Sequence, residues 1–160
     1  HKDWHFKLID HEEGVSLERI DPNAQTQDRA NWHSAASTAG YGTPTQINSQ
    51  YKQVNSPGAA IIVTPLLFSP DNDGRDDFVS IQYKMNEQGY VANITLFNTA
   101  GEPVRSLVRN AILGWEGYWN WDGLDDRNQL SNTGIYIFRI EAIDAEGHRV
   151  RELVTGVLSR

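Results

Sequence analysis

The chain has 160 residues, 39% of them hydrophobic and 22% charged, which suits one globular domain or one domain plus part of another. A net charge of −7 without any cluster of Lys or Arg argues against nucleic acid and against an anionic membrane surface as partner. There is no cysteine, so disulfides, thiolate metal sites and a cysteine nucleophile are excluded.

No apolar run approaches the roughly 20 residues of a membrane span, and His1-Lys2-Asp3-Trp4 does not open a charged-then-apolar leader. Residues 1–54 read as one polar, loop-rich segment. Short strands are expected over Trp4–Ile9 and Val15–Ile20, a turn at Asp21-Pro22-Asn23, and then a stretch from Asn31 to Gln50 dominated by Ser, Thr, Gly, Ala and Asn. The breakers Asn55-Ser56-Pro57-Gly58 read as a linker (55–58), and 59–160 as a separate unit.

In that second unit, Ile61–Phe68 reads as an edge or kinked strand because Pro65 interrupts it. Strands follow over Phe78–Tyr83, Val91–Asn98, Val104–Val108, Tyr118–Trp121, Ile135–Ala142 and Val150–Leu158. Turn signals recur at short intervals and helical periodicity is absent, which predicts an all-β antiparallel sandwich of about seven strands. Tyr136, Phe138, Ile140 and Ala142 share one face of their strand and are expected inside. Trp121, just before Asp122-Gly123, is expected to fill the core, and Gly134 to permit a close approach of the chain.

Four aspartates and one asparagine fall within the seven residues Asp71–Asp77. Calcium takes six to eight oxygen ligands, and alternate residues of a tight turn can converge on one ion. Asp71, Asp73 and the Arg75 carbonyl have that spacing, Gly74 gives the bend, and Asp77 closes the shell, with Asp76 the weaker candidate. A cation would relieve repulsion among the carboxylates. The other reading is a solvated turn, since Asp and Asn are good turn formers. No bidentate Glu stands at the twelfth position, so the loop is not an EF-hand.

The stretches FSPDNDGRDD (68–77), ITLFNTAGEPVRSL (94–107), WNWDGLDDRNQL (119–130) and GIYIFRIEA (134–142) together resemble the Ig-like domain first named for the flagellar hook-capping protein. Similar domains close many secreted bacterial surface proteins, alongside the gliding-motility-associated C-terminal domains. The resemblance implies an Ig-like sandwich at 59–160, with Gly101 in a hairpin turn after Asn98. In the first segment, SLER (16–19), NWHSA (31–35), Thr43-Pro44 and Asn48-Ser49 resemble, in that order, the last third of a bacterial lamin-tail domain. That family has glycine where Thr45 stands here, which puts the local turn geometry in question. Residues 1–54 would then be the end of such a domain, the chain the C-terminal part of a longer protein, and the segment a short, irregular, incomplete β piece held against the sandwich or another chain.

Catalytic readings find little support. His1 and His5 are not part of an HExxH pattern, His33 beside Ser34 reads as structural, and nucleophile-elbow, Walker and dinucleotide motifs are missing. Trp115, Tyr118, Trp119 and Trp121 crowd into seven residues. Trp119 and Trp121 share one strand face and Tyr118 and Asn120 the other, so an aromatic platform for a glycan is a second reading, with Trp115 and Trp119 as its ligand-binding residues and Trp115 the one expected to be exposed.

The resemblances imply a non-catalytic display or interaction module at the cell surface or outside the cell, with a protein partner such as the type IX secretion apparatus, docking by a sheet edge. The candidate edges are Ile61–Phe68 and Arg151–Leu158. The alternatives are a permanent subunit of an outer-membrane-associated complex and an accessory carbohydrate-binding module of a larger hydrolase.

Overall fold

The computed structural model describes residues 2–9, 11–51 and 60–160. The expected linker at 55–58 lies outside the described residues. The molecule is all-β, and its main body is a sandwich of two sheets.

The N-terminal segment carries strands β1 (Leu17–Arg19) and β2 (Trp32–Ser34), paired antiparallel with Leu17 opposite Ser34, and short 3₁₀ turns at Lys2–Trp4, Arg29–Asn31 and Ser37–Ala39. The strand expected at Trp4–Ile9 does not form. Its aromatic residues instead pack side chain to side chain on β2, Trp4 against Trp32 at 6.1 Å and Phe6 against the His33 ring at 4.7 Å.

The sandwich comprises β3 (Ala60–Thr64), β4 (Leu67–Phe68), β5 (Val79–Lys84), β6 (Val91–Asn98), β7 (Pro103–Ile112), β8 (Glu116–Trp121), β9 (Gly134–Ile143) and β10 (Arg149–Leu158). One sheet has the order β4-β10-β9-β6-β7 and the other β3-β5-β8. All pairings are antiparallel except the short parallel one of β4 with β10. Pro65 stands where the chain leaves the three-stranded sheet and enters the five-stranded one, so the expected kinked strand is two strands in different layers.

Alternation sets the core. Tyr136, Phe138, Ile140 and Ala142 of β9 face inward; the first three cluster with Ile94 and Leu96 of β6, Val79 and Ile81 of β5 and Trp121 of β8, and Ala142 joins a second cluster with Tyr83, Ala92 and Leu113. Trp121 is surrounded by Phe68, Tyr136 and Phe138 with ring centroids 5.1, 5.0 and 5.7 Å away, and its indole N–H donates to Leu124 O at 2.9 Å. Truncating a buried aromatic of this kind costs about 3–5 kcal/mol. Gly101 closes the β6–β7 turn at φ 78°, where a side chain would be strained. Gly134 is corrected: a Cβ there would meet nothing within 4 Å.

The N-terminal segment is bonded to one end of the sandwich. Ser37 Oγ donates to Ile112 O at 3.0 Å, Thr38 Oγ1 lies 2.9 Å from Tyr83 Oη, and Gln50 Nε2 donates to Leu113 O at 3.2 Å. The approach is so close that a Cβ on Gly114 would sit 2.7 Å from Ser49 O. Within the segment the buried Glu18 carboxylate organises the turn after β2. It accepts from Thr43 Oγ1 (2.5 Å), Ser49 Oγ (2.7 Å) and Gln50 N (3.2 Å). A buried carboxylate is tolerated because these donors replace its water.

Candidate functional site

The acidic loop joins β4 in one sheet to β5 in the other. Positive φ at Asn72 (63°), Gly74 (88°) and Asp76 (52°) coils it tightly. Asp71 Oδ1 accepts from Asp73 N (3.1 Å) and Asp73 Oδ1 from Arg75 N (2.8 Å), while Asp77 accepts from Asn72 N (2.7 Å) and Gly74 N (2.9 Å). These turns aim the side chains of Asp71, Asp73 and Asp77 at one point, with a carboxylate oxygen of each within 4.8 Å of the others. Asp76 stays out of that group and serves through its carbonyl, which accepts from Ser69 N at 2.9 Å. The loop thus brings three carboxylates together at the surface, hard oxygen donors of the kind calcium takes.

The aromatic group is arranged differently from the expectation. Trp115 is buried at 9% exposure, its indole N–H donating to Gln50 O at 3.2 Å. This corrects the exposed position expected for it. The flanking glycines do not open the site. Gly114 lets the N-terminal segment close over it, and Gly117 makes room for the Tyr83 ring. Trp119 is half-buried and stacks on Tyr83 with centroids 5.0 Å apart. Trp121 is in the core, so the solvent-facing aromatic of β8 is Tyr118, 63% exposed. The two tryptophans therefore present no joint platform.

Three histidines make polar contacts. The buried Ser34 hydroxyl accepts from Phe6 N at 3.0 Å and meets His5 Nδ1 at 3.0 Å, while His33 Nδ1 lies 3.0 Å from Ser34 O. His33 thus meets the Ser34 carbonyl, and burial pushes its imidazole below the usual range. At the β9–β10 turn, Asp144 Oδ2 and His148 Nδ1 are 2.7 Å apart.

Sequence reasoning named Arg151–Leu158 as a candidate edge but anticipated neither the arginine character of that edge nor the Glu18 cluster. That edge carries Arg149 and Arg151 on the outer face beside Leu153, itself 60% exposed. The alternation of Arg149, Arg151, Leu153 and Thr155 was the available signal.

No protein-family model and no curated protein matches the chain. Among solved structures the chain is similar to PorZ, an essential bacterial surface component of the type-IX secretion system of Porphyromonas gingivalis. The match has 17% identity and a TM-score of 0.40 and covers 62% of this chain. The chain spans 11% of the length of that protein.

Proposed function

We propose that the chain is a non-catalytic interaction module of a secreted or cell-surface bacterial protein, held in shape by calcium and docking on a protein partner such as the type IX secretion apparatus. The observation that carries the reading is the convergence of Asp71, Asp73 and Asp77 at the crossover between the two sheets. An ion there would pin β4 to β5, and so one layer of the sandwich to the other. Sites with few protein ligands bind calcium weakly, in the range that extracellular modules use, so a loop of this kind works outside the cell. The four sequence stretches that resemble hook-capping and gliding-associated domains support the surface role. Open strand edges on the sandwich support docking by strand addition.

The test is thermal unfolding of the whole chain with millimolar Ca²⁺ and with chelator, repeated for Asp73→Ala. Calcium is expected to raise the Tm by about 5 °C, and the variant to abolish that rise. An unchanged Tm at millimolar Ca²⁺ would leave the aspartates as a solvated turn and remove the support for calcium.

A further inference from the structure

Among the described residues one edge of the five-stranded sheet is largely unpaired, and its chemistry specifies what can fill it. Val157 N donates to Leu66 O at 2.7 Å and Ser159 N to Phe68 O at 2.9 Å, so odd-numbered residues of β10 turn their backbone groups away from β9. The β9–β10 register runs unbroken from Arg149 to Leu158, which carries this alternation back along the strand. Arg149, Arg151, Leu153 and Thr155 therefore point their N–H and C=O groups at the edge. Among the described residues only β4 pairs there, and only at Val157 and Leu158. Before Leu66 the chain departs into the other sheet, so among the described residues the rest of the edge has no strand partner.

The opposite edge of this sheet is not comparable. On β7, Val104 O accepts from Asp126 N at 3.0 Å and Ser106 N donates to Asp126 Oδ1 at 3.0 Å, so a loop covers it.

Side chains give the β10 edge a sign. Glu141 is shared by Arg139 at 3.3 Å and Arg151 at 3.4 Å, while Arg149 has no ion pair among the described residues. Glu141 is thus taken up by two arginines and Arg149 stands beside them, while the exposed Glu152 alternates to the other face of β10, so the outer face is positive on a chain of net charge −7. A groove of about 300 Å³ opens at the same place, lined by Asn93, Glu141, Ile143, Arg149, Val150 and Arg151. Leu153 continues the outer face as an exposed apolar side chain. A second copy of β10 fits poorly. Parallel and in register it sets arginine on arginine and Glu152 on Glu152. Antiparallel about Leu153 it sets Arg149 against Val157, whose edge β4 already holds.

We propose that this edge accepts an extended acidic segment of a partner protein, added as a strand along Arg149–Thr155. Its carboxylates meet Arg149 and Arg151 in the groove, and an apolar side chain covers Leu153. The proposal rests on the reading of the chain as a docking module and names the edge and the chemistry of the partner.

The test uses the whole chain and a capped synthetic peptide of about eight alternating Glu and Val residues, long enough to span the edge, with a Lys/Val peptide as control. Expected are binding of the Glu peptide alone, and amide shifts with slowed hydrogen exchange at Arg149, Arg151, Leu153 and Thr155. Binding should weaken about tenfold in the double variant Arg149→Glu, Arg151→Glu. Leu153→Pro removes one edge N–H without touching the β9 ladder and should weaken it similarly. The charge variant alters exposed side chains only, so it remains informative if the proline variant does not fold. Equal binding of the Lys peptide, shifts on another face, unaltered binding by the charge variant, or concentration-dependent dimers through β10 would overturn the proposal. Calcium-dependent melting of the same samples separates the two failures. If it persists without peptide binding, the edge assignment alone fails; if both are lost, the module reading fails with it.

Discussion

Thr45 holds φ at 66°, in the left-handed region where a β-branched residue is strained. The backbone there adopts the conformation that glycine would supply freely. The residue sits in the turn between Thr43, which donates to Glu18, and Asn48, which donates to Arg19 O at 3.1 Å. Those anchors on both sides hold the turn despite the local cost. Thr45→Gly is accordingly expected to stabilise the chain by roughly 1 kcal/mol, net of the entropy glycine adds to the unfolded state. Urea unfolding at constant slope measures it, and a destabilised variant would show that the hydroxyl or methyl of Thr45 has a role of its own.

At the scale of elements, the β9–β10 hairpin is closed by a titrating pair. Asp144 Oδ1 accepts from Glu146 N (3.0 Å) and His148 N (2.7 Å), and Oδ2 meets His148 Nδ1. Burial pushes the Asp144 carboxyl up, but its hydrogen bonds with His148 and the charge of that ring outweigh burial and hold it below its ordinary 3.8. The bond to Asp144, then its charge, raises His148 above its ordinary 6.5. The carboxylate's contribution to stability is present above pH 3.8 and is lost as pH falls through its lowered pKa. The imidazolium's contribution is complete below pH 6.5 and is lost as pH rises through its raised pKa. The turn is therefore tightest between those limits. The His148 Cε1–H resonance should titrate with a midpoint above 6.5, and that midpoint should fall in Asp144→Asn; a midpoint at or below 6.5 in the native chain would rule out the ion pair.

The strands flanking this turn were legible because one face of each is buried, which writes a period of two into the sequence, as in Tyr136, Phe138, Ile140 and Ala142. The acidic loop was legible for the same local reason, since Asx turns act over two or three residues. What was not legible depends on distant partners. β2 is short and reads as loop, and it becomes a strand because β1 pairs with it. Trp115 looks exposed between two glycines, and it is buried by Gln50 and Ser49. That β10 is an edge was legible, but how much of it stays unpaired depends on where β4 stops, a fact about the sheet and not about β10.

At the scale of the whole molecule, the question is whether residues 1–54 are a passenger on the sandwich or part of it. Their contacts fall where the sandwich is otherwise incomplete. Gln50, fully buried, donates to both Ser34 O (2.9 Å) and Leu113 O (3.2 Å), and its carbonyl receives the Trp115 indole. Thr38 meets Tyr83 in a second core of Met85, Tyr90, Ala92, Leu113 and Ala142. Removing the segment would strip these partners from buried polar groups and bare Trp115, a large side chain whose exposure costs about 1.5–3 kcal/mol. A chain of residues 60–160 is thus expected to melt on the order of 10 °C below the full chain. Its tryptophan emission should shift to the red, and Trp115→Ala should cost much less in it than in the full chain. The same logic bears on the glycan reading. Loss of glycan binding in full-length Trp115→Ala would report damage to this junction, whereas Tyr118→Ala tests the exposed face without disturbing it. Equal melting of the two lengths would mean that the segment folds apart from the sandwich, as the expected linker at 55–58 implies.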